Sequence, residues 1–202
     1  MRIISGSLRG RRISLPDGVD TRPTSERVRE AVFSTLQGLI DLEGASVVDL
    51  YAGSGALGIE AISRGAECVV FVEANKAVVR ALRENLRALD IERATSTLQG
   101  PCAKSFVSVK QQLEKRSHRS AGLVFADPPY GEGDCVELAK ALVKYDIVAP
   151  GSLLVFEAER AGKALEPFVP VVIDGMQLIE ARAKAYGGTE VRFLRFEAVS
   201  SE

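Results

Sequence analysis

Val47-Val48-Asp49-Leu50-Tyr51-Ala52-Gly53-Ser54-Gly55-Ala56-Leu57-Gly58 is the stretch that decides the fold. Val47–Leu50 is a short apolar run, as a buried strand should be. Gly53, Gly55 and Gly58 follow it at GxGxxG spacing, and Leu57–Arg64 continues at helical periodicity. Strand, glycine turn and helix in that order open a βαβ unit. The glycines let backbone approach a ligand where Cβ atoms would collide. The helix start presents N–H groups that have no intrahelical partner.

Downstream, the alternation continues. Cys68–Glu73 reads as a strand, Lys76–Ala88 as a helix, Thr95–Gln99 as a weaker strand and Ala103–Glu114 as a helix. Leu123–Ala126 is a strand, Val136–Val143 a helix and Ser152–Glu157 a strand. The tail differs: Val169–Ile173, Gln177–Ala185 and Glu190–Val199 read as strands joined by turns. Alternating strands and helices predict a doubly wound α/β fold, with helices on both faces of a mostly parallel sheet. Seven strands are expected, with an antiparallel C-terminal edge. Upstream, residues 2–15 read as a β-hairpin around Gly6-Ser7-Leu8-Arg9-Gly10, residues 16–23 as a loop, and Thr24-Ser25-Glu26 as a helix start.

At 202 residues and 46% hydrophobic composition, the chain is long enough for one substantial core. Its net charge of -1 excludes a global field that draws nucleic acid. The charge is unevenly spread. Residues 1–30 hold seven arginines against four acids. Of these, Arg2, Arg9, Arg11 and Arg12 crowd the hairpin without an acidic neighbour in sequence, which points to phosphate contacts. Arg27 and Arg29 either contact phosphates in the same way or pair with Glu26, Glu30 or Asp49. Three separated cysteines and one histidine predict neither a metal site nor a disulfide framework. No apolar run is long enough to span a membrane, and a soluble cytoplasmic protein is expected.

The glycine turn leaves two ligand classes open, a dinucleotide and S-adenosylmethionine. A pyrophosphate wants a helix N-terminus with no acid beside it. Here Asp49 lies four residues before Gly53, and Glu73, suited to a ribose diol, ends the next strand. Acids beside the turn favour a ligand with an ammonium and a sulfonium, hence S-adenosylmethionine.

A second motif, Asp127-Pro128-Pro129-Tyr130, ends the strand Leu123–Ala126. Asp127 offers a carboxylate. The two prolines stiffen the turn and contribute no N–H, so carbonyls face the site. Tyr130 adds a stacking face. Together they suit the exocyclic amine of a base, whose lone pair is delocalised into the ring. Acceptors on its two N–H bonds would favour the pyramidal form, by orientation and electrostatics rather than covalent catalysis.

Asp49–Gly58 together with Asp127–Tyr130 resembles the class I S-adenosylmethionine-dependent amino-methyltransferases. Arg2-Ile3-Ile4-Ser5-Gly6, Arg9-Gly10-Arg11-Arg12 and the segment Thr21–Glu30 are similar to the bacterial 16S ribosomal RNA guanine-N2 methyltransferases of the small-subunit head. The resemblance covers nearly the whole chain. It implies a basic hairpin and linker over 1–23 and a methyltransferase domain over 24–202. It implies a catalytic turn of Asp127, Pro128, Pro129 and Tyr130. It implies cofactor contacts from Arg22, Pro23, Thr24, Asp49, Tyr51, Ala52, Gly53, Ser54, Gly55, Gly58, Glu73, Ala74, Cys102, Ala103 and Asp127. It further implies RNA contacts from the hairpin, 16S ribosomal RNA in a small ribosomal subunit as partner, and a monomer. Many relatives carry an acid after the third strand, whereas this chain has Gln99-Gly100-Pro101-Cys102-Ala103. Adenine recognition at Cys102 would therefore rest on backbone groups.

Overall fold

The structure, a computed structural model, describes residues 1–14, 26–129, 134–159 and 165–199. Eight strands form one sheet: β1 (Ser46–Leu50), β2 (Cys68–Glu73), β3 (Thr95–Gln99), β4 (Leu123–Ala126), β5 (Leu153–Glu159), β6 (Val171–Ile173), β7 (Met176–Tyr186) and β8 (Thr189–Ala198). Their order is β3-β2-β1-β4-β5-β8-β7-β6. The first five are parallel and the last three antiparallel. The doubly wound sheet with an antiparallel edge is thus as the sequence predicts, with eight strands rather than seven, because the short strand read at Val169–Ile173 joins the same sheet as β6. It is turned onto β7 by Asp174-Gly175, both at positive φ (44° and 78°). Such a turn matches the twist of a two-residue hairpin, and Asp-Gly is among its preferred sequences.

Helices α1 (Glu26–Leu36), α2 (Ala56–Ser63) and α3 (Lys76–Leu89) cover one face, and α4 (Cys102–Lys115) and α5 (Cys135–Lys144) the other. Alternation along the strands feeds two separate cores. Val47, Phe71, Phe125, Val155 and Phe193 meet Phe33, Ile59 and Leu82 on the first face. Val48, Val70, Val124, Leu154 and Leu194 meet Phe106, Val109 and Leu142 on the second. Parallel strands buried on both faces read as continuous apolar runs, which is why Cys68–Val72 and Leu123–Ala126 are legible as strands.

The N-terminal arm is less regular than a two-stranded hairpin. Its ladder is one bridge, Arg2 opposite Arg12, with flanking bonds such as Ile3 N–H to the Arg11 carbonyl at 3.0 Å. The reason lies in α2. The Ile4 and Ser5 N–H groups donate to the Glu60 carboxylate at 2.8 and 3.0 Å. Those of Ser7 and Leu8 donate to the Ser63 carbonyl and hydroxyl at 2.7 and 3.0 Å. Donors that would extend a β ladder are used on the helix instead. A Cβ on Gly6 would lie 1.6 Å from the Ser63 carbonyl oxygen, so this contact requires glycine. Ile3 and Ile13 are buried in the first core.

Arg29 follows neither sequence reading: it is fully buried, away from any phosphate, and faces Glu60 Oε2 at 3.7 Å. It also donates to the Arg2 carbonyl, while Arg64 Nε bonds the other Glu60 oxygen at 2.8 Å. Glu60, itself fully buried, therefore joins α1, α2 and the arm. The two buried charges compensate one another, and Ile4, Ser5 and Arg64 satisfy the Glu60 oxygens, while Arg29 Nε stands beyond hydrogen-bond reach of Glu60.

Candidate active site

Parallel topology places the carboxyl ends of β1, β2, β3 and β4 in a row, and β1 pairs with both β2 and β4. The crossover direction switches there, and open α/β sheets bind ligands in that crevice. The chain leaves β1 through Tyr51, held at φ 58°, an unusual conformation for a bulky residue. Gly53 (φ 53°) and Gly55 (φ 77°) follow. The three glycines differ in role. A Cβ on Gly58 would lie 2.4 Å from Phe71 Cε1, and one on Gly55 would lie 2.4 Å from Leu82 Cδ1. Both serve close packing of α2 on its neighbours. A Cβ on Gly53 would meet only the Tyr51 carbonyl oxygen, at 3.9 Å, and otherwise open space. That is the cradle a ligand needs.

Two acids hold the loop from below and from the side. Asp49 is buried, and its Oδ2 accepts the Gly58 N–H at 2.9 Å, capping the start of α2. Burial pushes the Asp49 carboxyl up to about 8; the Gly58 bond opposes the rise, and the charges of Asp127 and Glu73 add to it. Glu73 Oε2 accepts the Gly53 N–H at 2.9 Å, and its Oε1 accepts the Asn75 N–H at 2.7 Å. Asn75 in turn caps α3 by accepting from the Ala77 N–H at 2.9 Å. The sequence reads Asp49 and Glu73 as ligand-facing acids, and the structure adds that both already shape the loop.

Beyond β3, Cys102 is the first residue of α4 and is buried, with Ala103 exposed beside it. Burial pushes the Cys102 thiol up to about 11, with the Tyr51 side chain as its hydrogen-bond partner. At the end of β4, Asp127 is exposed, Pro128 half-buried and Pro129 exposed. The negative charge of Asp127 reaches both Asp49 and the buried Glu157 near the end of β5. Tyr51, Ala52, Gly53, Ser54, Gly55, Gly58, Glu73, Ala74, Cys102, Ala103 and Asp127–Pro129 thus all belong to this carboxyl edge. Arg22, Pro23, Thr24 and Tyr130 lie outside the described residues.

The arginines of the basic arm lie away from that edge, which the arm touches through Met1. The arm runs along α2 and α3, from Met1 near Ser54 to a tip held at Ser63. Arg11 Nη1 donates to the Leu89 carbonyl at 3.1 Å and Nη2 to that of Ala88, capping the end of α3. Arg2 Nη1 donates to the Gly10 carbonyl at 3.1 Å. Arg9 and Arg12 are exposed, and their guanidinium groups have no partner among the described residues.

Sequence reasoning missed Glu157, which ends an apolar strand and looks like any strand-terminal acid. Its signal is alternation: Val155 faces the first core, so Glu157, two residues on, faces the same side.

The ordered sheet, the glycine loop after β1 and the acid ending β2 define the fold of the class I methyltransferases. The family described as "Conserved hypothetical protein 95" matches residues 1–195, and the chain belongs to that family. It is 35% identical over 159 residues to the Ribosomal RNA small subunit methyltransferase D of Escherichia coli strain K12, covering 79% of this chain and 75% of that protein. It is 31% identical over 193 residues to YlbH of Bacillus subtilis, named as an rRNA methyltransferase, covering 95% and 96%. Among solved structures it resembles Escherichia coli yhhF, named as a methyltransferase, at 32% identity and a TM-score of 0.76, with 98% of each chain covered.

Proposed function

We propose that this chain transfers a methyl group from S-adenosyl-L-methionine to the exocyclic N2 of a guanine in 16S ribosomal RNA, with the assembled small subunit as substrate. The carrying observation is the placement of Asp127 at the carboxyl end of β4, next to the strand that delivers the glycine loop. The electrostatics favour the cofactor. Glu73 and Asp127 make the edge negative enough to raise the Asp49 carboxyl further, which suits an ammonium and a sulfonium and opposes a diphosphate. S-adenosyl-L-methionine supplies an electrophilic methyl on a cationic sulfur. The open side of Gly53 admits it, and Arg22, Pro23 and Thr24 take its methionine end. Glu73 and Ala74 take the ribose, and Cys102 and Ala103 flank the adenine.

Asp127 accepts an N2–H bond and, with the carbonyls of the proline turn, orients the amine lone pair toward the methyl carbon. The new N–C bond forms as the C–S bond breaks, its electron pair returns to sulfur, and S-adenosyl-L-homocysteine leaves. The proton on N2 passes to solvent. Tyr130 stacks on the base, a contact of about 1–3 kcal/mol. Arg9 and Arg12 contact phosphates, joined by Arg2 and Arg11 where their guanidinium groups remain accessible.

The relatives named for ribosomal RNA methylation support this substrate. The test is tritiated methyl transfer to unmethylated small subunits and to protein-free 16S RNA, with the product nucleoside identified by mass. N2-methylguanosine formed faster on subunits is expected. Equal rates on free RNA overturn the assembled-subunit part, and a different methylated nucleoside overturns the guanine assignment. Calorimetric binding of NAD without binding of S-adenosyl-L-methionine overturns the whole reading.

A further inference from the structure

Glu157 is buried with one carboxyl oxygen left unsatisfied. It ends the run of β5 that pairs with β4, one step past the Ala126–Phe156 pair, and so is the lateral neighbour of Asp127. Strand alternation turns both toward the face that carries Phe125, Val155 and α1. Glu157 is only 4% exposed, yet its Oε1 makes no hydrogen bond with any described residue. Nearby, the Tyr186 Oη at the end of β7 is likewise buried without a well-formed hydrogen bond. The Thr35 hydroxyl beside it donates to the Ala31 carbonyl at 2.9 Å and is the side-chain group that interacts with the Tyr186 phenol. Buried polar groups are almost always satisfied, so an unsatisfied carboxyl oxygen beside a reactive edge, with a buried phenol next to it, marks where a polar ligand belongs.

We propose that Glu157 reads the lactam edge of the target base, pairing with guanine N1–H and O6 while Asp127 holds N2, and that Tyr186 lines the same pocket as a second donor. The proposal rests on the guanine-N2 reading above. In guanine, N1–H lies directly beside the N2 amine and O6 lies next along the edge. A neutral carboxyl offers a carbonyl acceptor and an O–H donor side by side, the complement of that edge. Burial pushes the Glu157 carboxyl up to about 8, the charges of Asp127 and Asp49 adding, so it keeps its proton at neutral pH. Adenine presented by its amine would place bare N1 and C2–H there instead, and one bond would be lost. This supplies the base choice that the Asp127 turn alone leaves open, since that turn would hold adenine's amine as well.

The test uses the full chain, its Glu157→Gln and Glu157→Leu variants, and small subunits reconstituted with guanine or 2-aminopurine at the methylated position. 2-Aminopurine keeps the N2 amine and lacks both O6 and N1–H. The wild type is expected to prefer guanine over 2-aminopurine by roughly 100-fold in kcat/KM, because a site built to bond polar groups rejects an analogue lacking them. Glu157→Gln, whose amide offers an acceptor and a donor in the same shape, keeps most of that preference. Glu157→Leu loses it, with affinity for S-adenosyl-L-methionine by calorimetry unchanged. A Glu157→Leu enzyme that keeps the wild-type preference, or loses activity equally on both substrates, overturns the inference while N2-methylguanosine from the wild type leaves the parent reading intact. A wild-type product other than N2-methylguanosine overturns both.

Discussion

Alanine at Gly53 and at Gly58 separates ligand approach from packing within one loop. At Gly58, the new Cβ would sit 2.4 and 2.8 Å from Phe71 Cε1 and Cζ and 2.8 Å from Val69 Cγ1. Phe71 and Val69 are fully buried on β2 and have no room to yield. Overpacking of this kind costs about 1–3 kcal/mol, and the better helix propensity of alanine returns at most about 1. The net of about 1–2 kcal/mol lowers Tm by roughly 2–8 °C for a chain of this size. The same shift loosens the Gly58 N–H that Asp49 accepts, so cofactor binding weakens as well. At Gly53 no atom except the Tyr51 carbonyl oxygen lies within 4 Å of the added methyl, and the cost is the left-handed φ of 53°, about 1 kcal/mol. Its Tm falls by roughly 2–4 °C. Its methyl occupies the open side of the loop, so affinity for S-adenosyl-L-methionine should drop at least about tenfold, the equivalent of 1.4 kcal/mol. Far-UV circular dichroism melts and calorimetric titration read the two quantities separately. Wild-type affinity in Gly53→Ala refutes the cradle, and an unchanged Tm in Gly58→Ala refutes the packing argument.

Asp127→Ala should abolish methyl transfer by at least about 100-fold in kcat, the scale of one preorganised polar contact to the reacting group, while leaving cofactor affinity within a few-fold of wild type; single-turnover assays and calorimetry decide it. Glu60→Ala leaves Arg29 buried without its anion and removes acceptors from Ile4, Ser5 and Arg64, so stability should fall by about 3–5 kcal/mol. In that variant, hydrogen exchange should rise first across residues 3–13. Asp49 and Glu157 keep their protons to about pH 8 when folded and lose them near pH 4 when unfolded, so the folded chain binds more protons in between. Stability therefore falls as pH rises from 4 toward 8, by no more than about 1.4 kcal/mol per unit for each group, and Glu157→Gln should flatten the slope measured by denaturant melts. Replacing Arg9 and Arg12 together by alanine should reduce the salt dependence of subunit binding by about two in log–log slope. Arg11→Ala should instead lower Tm, because that side chain caps α3.

The sequence carries the parallel half of the fold almost residue by residue, because buried parallel strands are written as uninterrupted apolar runs and their connections as amphipathic helices. The same pattern makes Asp127 and Glu73 legible as site residues, since each directly follows such a run. What the sequence hides is set by tertiary partners. Arg29 looks like a helix-surface arginine with acids on either side, but its partner is Glu60, thirty-one positions away and buried with it. Arg11 looks like one more RNA contact in a basic run, and only the arrival of the α3 terminus gives it carbonyls to cap. Glu157 closes the apolar run of β5 much as Glu73 closes β2. Its burial depends on α1 and on β8, which pairs Val191 beside it, and neither is adjacent in sequence.

One short helix ties the cofactor loop to the basic arm. The start of α2 is fixed by Asp49 through Gly58, beneath the proposed cofactor. Its later turns hold the arm through Glu60 and Ser63. The distance from loop to arm tip is thus set by eight helical residues, a rise of about 12 Å, with no hinge between. A tip anchored in this way does not adapt to the contour of a flexible strand. It suits a surface whose phosphates already stand at a fixed offset from the target base. Folded RNA held by ribosomal proteins offers such a surface and free RNA does not, because an unstructured chain would have to be ordered at each encounter. The rigid link through α2 is therefore the physical reason to expect preference for the assembled subunit. It also explains why loosening Glu60 should impair subunit methylation more than it impairs cofactor binding.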